Sequence, residues 1–306
     1  MDGGTSSPYS QFFSGMKTQA SSTSSAAIGT IYAVGAATLF STAGIIVRRI
    51  ELPAWDISFW RSLLLAATIL PLVIWQRHAV WRDIRNAGRA LLASAVLIAA
   101  SLIAFILALG MAPVANVLIV FGATPFVTAL LARLFLGERL HRHTLLAMTM
   151  AVAGLALSVS DSLQAGSALG MLVAFGVVLS ISANYVVVRH HREVGMTPAL
   201  LLAGAIAAVL SLPFADPGKL AFSDLPWLIA LGPGQLTCGL LLYMASLKRI
   251  PAARAALLGL LELVLGPIWV WAIDGEKPGD LTLAGGAIVI AAAALNVWLD
   301  SRRSTG

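Results

Sequence analysis

PVANVLIVFGATPFVTALLARLFLGE, residues 113–138, starts on a proline, is apolar apart from Thr124-Pro125 and a few other breaks, and ends on Gly137-Glu138. The same outline returns 138 positions later as PAARAALLGLLELVLGPIWVWAIDGE, residues 251–276. Pro113 then matches Pro251, Ala115 matches Ala253, Gly137 matches Gly275 and Glu138 matches Glu276. The register continues without a gap, setting Thr144-Leu145 on Thr282-Leu283 and Ala156-Leu157 on Ala294-Leu295. Alanine and leucine coincidences carry little weight in so apolar a chain. Two prolines and two Gly-Glu pairs at one spacing carry more, and they indicate two copies of one unit.

The composition sets the class. Of 306 residues, 58% are hydrophobic and 11% charged, against about 25% charged in a soluble domain. Between Arg89 and Arg133 lie 43 residues without Lys, Arg, Asp, Glu or His. One membrane crossing takes about 20, so this run holds two helices, turning near Gly110–Pro113. Ten apolar spans follow from the same reading: 28–47, 56–76, 90–109, 113–136, 144–161, 168–188, 197–213, 226–247, 251–273 and 281–299. Residues 1–27 form a polar tail, expected to be disordered, and 300–306 a second tail. The expected fold is therefore an all-α polytopic membrane protein of ten transmembrane helices.

Basic residues orient it. With the N-terminus in the cytoplasm, inner segments carry Lys17, Arg77, Arg82, Arg85, Arg89, Arg139, Arg142, Arg189, Arg192, Lys248, Arg249, Arg302 and Arg303, while outer loops carry only Arg48, Arg49, Lys219 and Lys277. The positive-inside rule then puts both termini in the cytoplasm. That distribution accounts for the net charge of +6 without any nucleic-acid partner. Two units of five spans each, residues 28–161 and 168–299, must enter the membrane in opposite senses, because five is odd. At an offset of 141, Gly29, Ala33, Gly35, Ser41, Val47 and Arg48 meet Gly170, Ala174, Gly176, Ser182, Val188 and Arg189. Inverted repeats underlie alternating access in secondary transporters, with cargo held near the midplane at their interface.

Four stretches in this order carry a family resemblance: FWRSLLLAATILP (residues 59–71), ATPFVTALLARLFLGERL (123–140), GMLVAFGVVLSISANYVVVRH (170–190) and LELVLGPIWVWAIDGEKP (261–278). The chain resembles the drug/metabolite transporter superfamily in its ten-helix EamA-type branch, over roughly residues 28–300. The resemblance implies a plasma-membrane (inner-membrane) carrier that moves small metabolites, often outward. The chain departs from the family where a Glu-Pro is common, having Glu262-Leu263, and it has no tryptophan near Ser180.

Glu262 is the foremost candidate for substrate chemistry. It lies eleven residues into its span, about 16 Å along the axis, and an ionisable group at that depth is a functional hypothesis by default. It is expected to bind a substrate amine or cation, or to accept a coupling proton; the alternative is a carboxyl that holds the repeats together. Its repeat equivalent is Thr124. Arg61 offers a partner for a substrate carboxylate, or else snorkels outward or pairs with Asp56 or Glu51. Arg133 and Arg254 lie near the cytoplasmic surface and are expected to snorkel. Asn116, Asn184, Tyr185, Gln235 and Tyr243 are polar groups inside apolar spans, suited to lining a cavity or to bonding helices together. Pro125, Gly232-Pro233-Gly234 and Gly266-Pro267 are candidate kinks or gates.

Other classes find less support. Cys238 has no partner for a disulfide within the chain. The His141/His143 and His190-His191 pairs lack further ligands at a metal-site spacing, and no cofactor is implied. No nucleotide-binding loop motif occurs. A polytopic lipid or prenyl transferase would need clustered acids that the loops do not have, and a nucleotide-sugar carrier would want several basic groups where only Arg61 qualifies. The expectation is a secondary transporter of amino acids or amphipathic cations, monomeric or homodimeric.

Overall fold

The computed structural model describes residues 8–111, 117, 120–138, 141–159, 168–275 and 279–304. Regular structure among them is helical throughout, as a chain immersed in lipid requires if every backbone N–H and C=O is to find a partner. The helices are α1 (Pro8–Ser41), α2 (Ala43–Val47), α3 (Ala54–Trp75), α4 (Arg77–Met111), α5 (Thr124–Leu136), α6 (Arg142–Val159) and α7 (Ala168–His190). They continue as α8 (Thr197–Ser211), α9 (Leu225–Ile229), a π-helical stretch (Ala230–Thr237), α10 (Cys238–Leu247), α11 (Ala252–Gly259), α12 (Leu261–Asp274) and α13 (Asp280–Ser304).

Among the described residues, seven helical segments are long and apolar enough to cross a membrane: Ser25–Val47, Ala54–Trp75, Arg77–Phe105, Ala168–His190, Thr197–Phe214, Phe222–Leu247 and Ala252–Asp274. Thr124–Leu136, Arg142–Leu157 and Leu283–Asn296 are shorter apolar helices. Helix α1 extends back to Pro8, so most of the segment read as a polar tail is wound into the helix that carries the first apolar run. Helix α4 bends at Ala87 (φ −145°, ψ 30°). The bend divides a first part that carries Arg77, Arg82 and Arg85 from the apolar part, which keeps Arg89 at its start.

Two helices end alike. Gly137 closes α5 with φ 66° and Gly275 closes α12 with φ 74°, and they are the left-handed residues among those described. Only glycine takes that conformation without a Cβ penalty. The glycines of the two Gly-Glu pairs in the sequence repeat thus sit where geometry calls for glycine.

Packing is paired in the same way. α3 lies against α8, α6 against α13, and α5 against α11. α4 packs on α7 as α1 packs on α10; α4 packs on α8 as α3 packs on the π-helical stretch; α5 packs on α7 as α1 packs on α12. Exchanging the two halves of the chain leaves this set of partners unchanged. Small residues allow the closest approaches. A Cβ on Gly204 of α8 would lie 2.8 Å from the Ser62 carbonyl of α3, and one on Gly154 of α6 would lie 2.7 Å from the Gly285 carbonyl of α13. The central core joins Ala33 and Ala36 of α1, Leu65 and Ile69 of α3, Leu91 and Ile98 of α4, Leu200 of α8 and Leu247 of α10.

Candidate functional site

The run from Ala252 to Asp274 is broken. α11 stops at Gly259, Leu260 turns (φ −61°, ψ −17°), and α12 begins at Leu261. Short-range bonds bridge the break, Leu260 N–H to the Leu257 carbonyl at 3.2 Å and Leu263 N–H to the Leu260 carbonyl at 3.1 Å. Glu262 therefore occupies the first turn of a half-helix inside an apolar segment, where the helix dipole favours negative charge. Its repeat equivalent Thr124 also opens a helix, α5, after a turn at residues 122–123. The Thr124 hydroxyl donates to the Phe121 carbonyl at 2.6 Å. Pro125 is buried beside it.

Aromatic rings wall the break. Tyr185 of α7 and Tyr243 of α10 have ring centroids 4.5 Å apart, and Phe40 of α1 lies 6.4 Å from Tyr243. The Tyr243 hydroxyl is buried without a hydrogen-bond partner among the described residues, and the Glu262 carboxylate acts electrostatically on both tyrosines. A Cβ at Gly259 would be 3.5 Å from the Tyr243 oxygen, so Tyr243 rests on the break itself. Glu262 is half-buried and makes no ion pair or hydrogen bond among the described residues.

Gln235 belongs to the π-helical stretch and is 5% exposed. Its Nε2 donates to the Phe40 carbonyl at 3.4 Å, while its Oε1 is buried without a partner. The neighbouring glycines differ in role. A Cβ on Gly232 would meet Leu64 of α3 at 2.9 Å, whereas one on Gly234 would meet only the Ile229 carbonyl at 3.7 Å. Pro233 sits inside the π-helical winding, which accommodates its missing N–H.

Arg61 is 8% exposed. Its Nε is buried without a hydrogen bond, and it enters no ion pair with Asp56, Glu51 or any other described carboxylate. Arg133, by contrast, is exposed, and Arg254 reaches the Thr30 hydroxyl at 3.1 Å.

The structure places two further sequence candidates. Asn184 is engaged elsewhere, its Oδ1 accepting from the Ser94 hydroxyl of α4 at 2.6 Å; it bonds two helices, while its neighbour Tyr185 faces the break. Gly266-Pro267, a candidate kink or gate, lies within α12, and a turn lies one to two turns earlier, at residues 259–261. A Cβ at Gly266 would lie 3.8 Å from the Ser41 carbonyl of α1, an ordinary contact that does not call for glycine. Asn116 lies outside the described residues, as does the side chain of Pro267.

Ser41 and Ser182, paired in the sequence repeat but not singled out for function, are joints between helices. The Trp269 indole N–H of α12 donates to Ser41 Oγ at 2.8 Å, and Thr128 Oγ1 of α5 donates to Ser182 Oγ at 2.9 Å. Their common place in the repeat was the available signal. Phe40 and Gly259 had none. Ion pairs tie the same helices at their ends: Arg189 of α7 holds Glu138 at 2.9 Å and the Leu247 carbonyl at 3.3 Å, and Arg48 and Arg49 after α2 both reach Asp274 at the end of α12.

Known proteins agree with this outline. The model of the EamA-like transporter family matches twice, over residues 27–160 and 168–298. The pseudopaline exporter CntI of Pseudomonas aeruginosa strain UCBPP-PA14 is 28% identical over 272 residues, covering 86% of this chain and 94% of that protein. An uncharacterized transporter of P. aeruginosa strain PAO1 is 27% identical over 273 residues, covering 83% and 88%. A protein of known crystal structure superposes with a TM-score of 0.76 at 19% identity, over 89% of this chain and 97% of that one, which is a likeness of fold. The apolar helices and the family match across both halves make this a multi-pass membrane transporter, not an enzyme, and the chain belongs to the EamA-like transporter family.

Proposed function

We propose that the chain is a secondary carrier that exports small organic metabolites such as amino acids or amphipathic cations. Two inverted five-helix repeats, residues 28–161 and 168–299, alternate access to a site between them. The observation that carries this reading is Glu262, unpaired in the first turn of a half-helix and flanked by Tyr185 and Tyr243. Half-helix ends at the seam of two repeats are where such carriers hold cargo. Support for the repeats comes from the double family match, the exchange-invariant packing, and the left-handed glycines 138 positions apart. The three shorter apolar helices beside the seven longer ones support a reading of ten spans.

The outward direction rests on the name of the exporter among the relatives. The charge distribution supports an inner-membrane protein with both termini in the cytoplasm. Thr124, Gln235 and Arg61 join Glu262 and the tyrosines as cargo contacts, and a proton at Glu262 is the candidate coupling ion. The protein works as a monomer or homodimer.

Counterflow of amino acids and cationic drugs into liposomes carrying the purified protein tests the reading, with Glu262→Gln beside wild type from about pH 5 to 8. Wild type is expected to exchange cargo, and Glu262→Gln to lose exchange or its dependence on pH. A Glu262→Gln protein indistinguishable from wild type would remove the role given to this carboxylate.

A further inference from the structure

The first turns of α4 carry three parallel stripes of different chemistry. Val80, Asp83 and Ala87 are buried against the bundle. Asp83 Oδ2 accepts from the Gly195 N–H at 3.1 Å, which pins this part of the helix to the loop before α8. One position on from Val80 and from Asp83, about 100° round the helix, come Trp81 (66% exposed) and Ile84 (42% exposed), in line with Arg77. One position further on come His78, Arg82 and Arg85, all exposed. Apart from Asp83, which also faces the Arg82 Nε at 3.7 Å, residues 77–90 hold no acid. Arg77 and Arg85 take part in no ion pair among the described residues.

The segment runs along a membrane boundary. α3 has 22 residues, about 33 Å of helix against the roughly 30 Å of bilayer hydrocarbon. Gln76, which closes α3, therefore stands at the edge of that layer. The apolar part of α4 re-enters from the same edge after the bend at Ala87. Both ends of residues 77–87 are thus at one level, and the piece between them follows the surface. Trp75, 80% exposed at the end of α3, marks that level as interfacial tryptophans do.

We propose that this face of α4 binds anionic phospholipid, with Trp81 and Ile84 sunk among acyl chains and the Arg77, Arg82 and Arg85 guanidiniums on headgroup phosphates. An exposed apolar stripe beside a basic one is the pattern of a helix lying in an interface, and guanidinium grips phosphate through two parallel hydrogen bonds. A phosphate free in water would satisfy the arginines and leave Trp81 and Ile84 without apolar contact. An acidic protein segment would have to displace lipid from a face that the crossings on either side hold at the membrane. The inference concerns the protein's lipid contacts and stands whichever cargo it moves.

The test is tryptophan quenching in vesicles that mix phosphatidylcholine with phosphatidylglycerol, bromine being carried on the acyl chains of one lipid or of the other. The signal of Trp81 is the difference between wild type and Trp81→Phe. Brominated phosphatidylglycerol is expected to quench it at least about threefold more strongly, mole for mole, than brominated phosphatidylcholine, because basic residues at a membrane surface attract anionic lipid. The preference should fall toward parity in Arg77→Gln/Arg82→Gln/Arg85→Gln. It should also fall in wild type as salt rises from about 0.05 to 0.5 M. Trp227 supplies the control through Trp227→Phe, since its neighbour Leu228 packs with Ile50 and Ile57 at the opposite end of α3; the two lipids should quench it nearly alike. Parity at Trp81, quenching by neither lipid, an equal preference at Trp227, or a preference that survives the triple substitution or high salt would each overturn the assignment. Should the triple variant not fold, the salt series in wild type decides.

Discussion

Gly239→Ala would reach the site from outside it. Gly239 lies in α10, where α10 packs on α1, and a Cβ there would press on Cε1 of the Phe40 ring and fall 2.8 and 2.9 Å from its Cδ1 and Cζ. Relief to an ordinary carbon–carbon contact of about 3.5 Å moves the ring edge by about 1 Å. The ring has two ways to yield. It can turn toward Tyr243, 6.4 Å away, and distort the aromatic wall; or α1 and α10 can part. Overpacking of this kind costs about 1–3 kcal/mol. Spent in the site, that is a loss of roughly 5–150-fold in cargo affinity; spent between the helices, it lowers the unfolding midpoint instead. Gly176→Ala in α7 is the control, since a Cβ there meets nothing within 4 Å and gains the same helix propensity. Affinity is read by counterflow at graded cargo concentration, and stability by thermal unfolding in detergent. If Gly239→Ala matches Gly176→Ala in both measurements, the close contact with Phe40 is not a constraint and the argument fails.

Two further outcomes are expected. Arg189→Gln removes the bonds to Glu138 and to the Leu247 carbonyl, and because both partners are largely shielded it should lower stability by about 1–3 kcal/mol. The double variant with Glu138→Gln should lose less than the sum of the two single changes; strict additivity in thermal unfolding would deny the pair any coupling. Impermeant thiol reagents applied to single cysteines in residues 78–88 and 274–280 should label the two segments from opposite sides of the membrane, and labelling from one side would refute the inverted repeat.

The repeat was legible because its surviving identities sit where the backbone tolerates little else. Gly137 and Gly275 are left-handed helix ends, and Ser41 and Ser182 each join their helix to the helix that carries the half-break. Glu262 stood out as an ionisable group in an apolar run. Other features had no local signal. Gly259 is one glycine among many, and nothing in its neighbours announces that Tyr243 rests upon it. Gly266-Pro267 has the composition of a break, yet α12 passes through it, because proline weakens a helix locally while packing decides where it parts. Asn184 and Tyr185 are adjacent and equally polar in context. The helical turn between them sends one to Ser94 of α4 and the other to Tyr243 of α10, a distinction that depends on which helices stand on either side.

The π-helical stretch between α9 and α10 makes chain length itself a variable of the site. Such a winding takes up more residues per circuit than an α-helix. Removing one residue between 230 and 237 would let it relax to an ordinary α-helix with α9 and α10 close to their present phase, because the winding already holds the additional residue. The same deletion within α10 would instead turn everything beyond it by about 100°. The π-helical stretch is thus the part of this span where the chain can lose a residue while Leu228 keeps its apolar bed with Ile50 and Ile57.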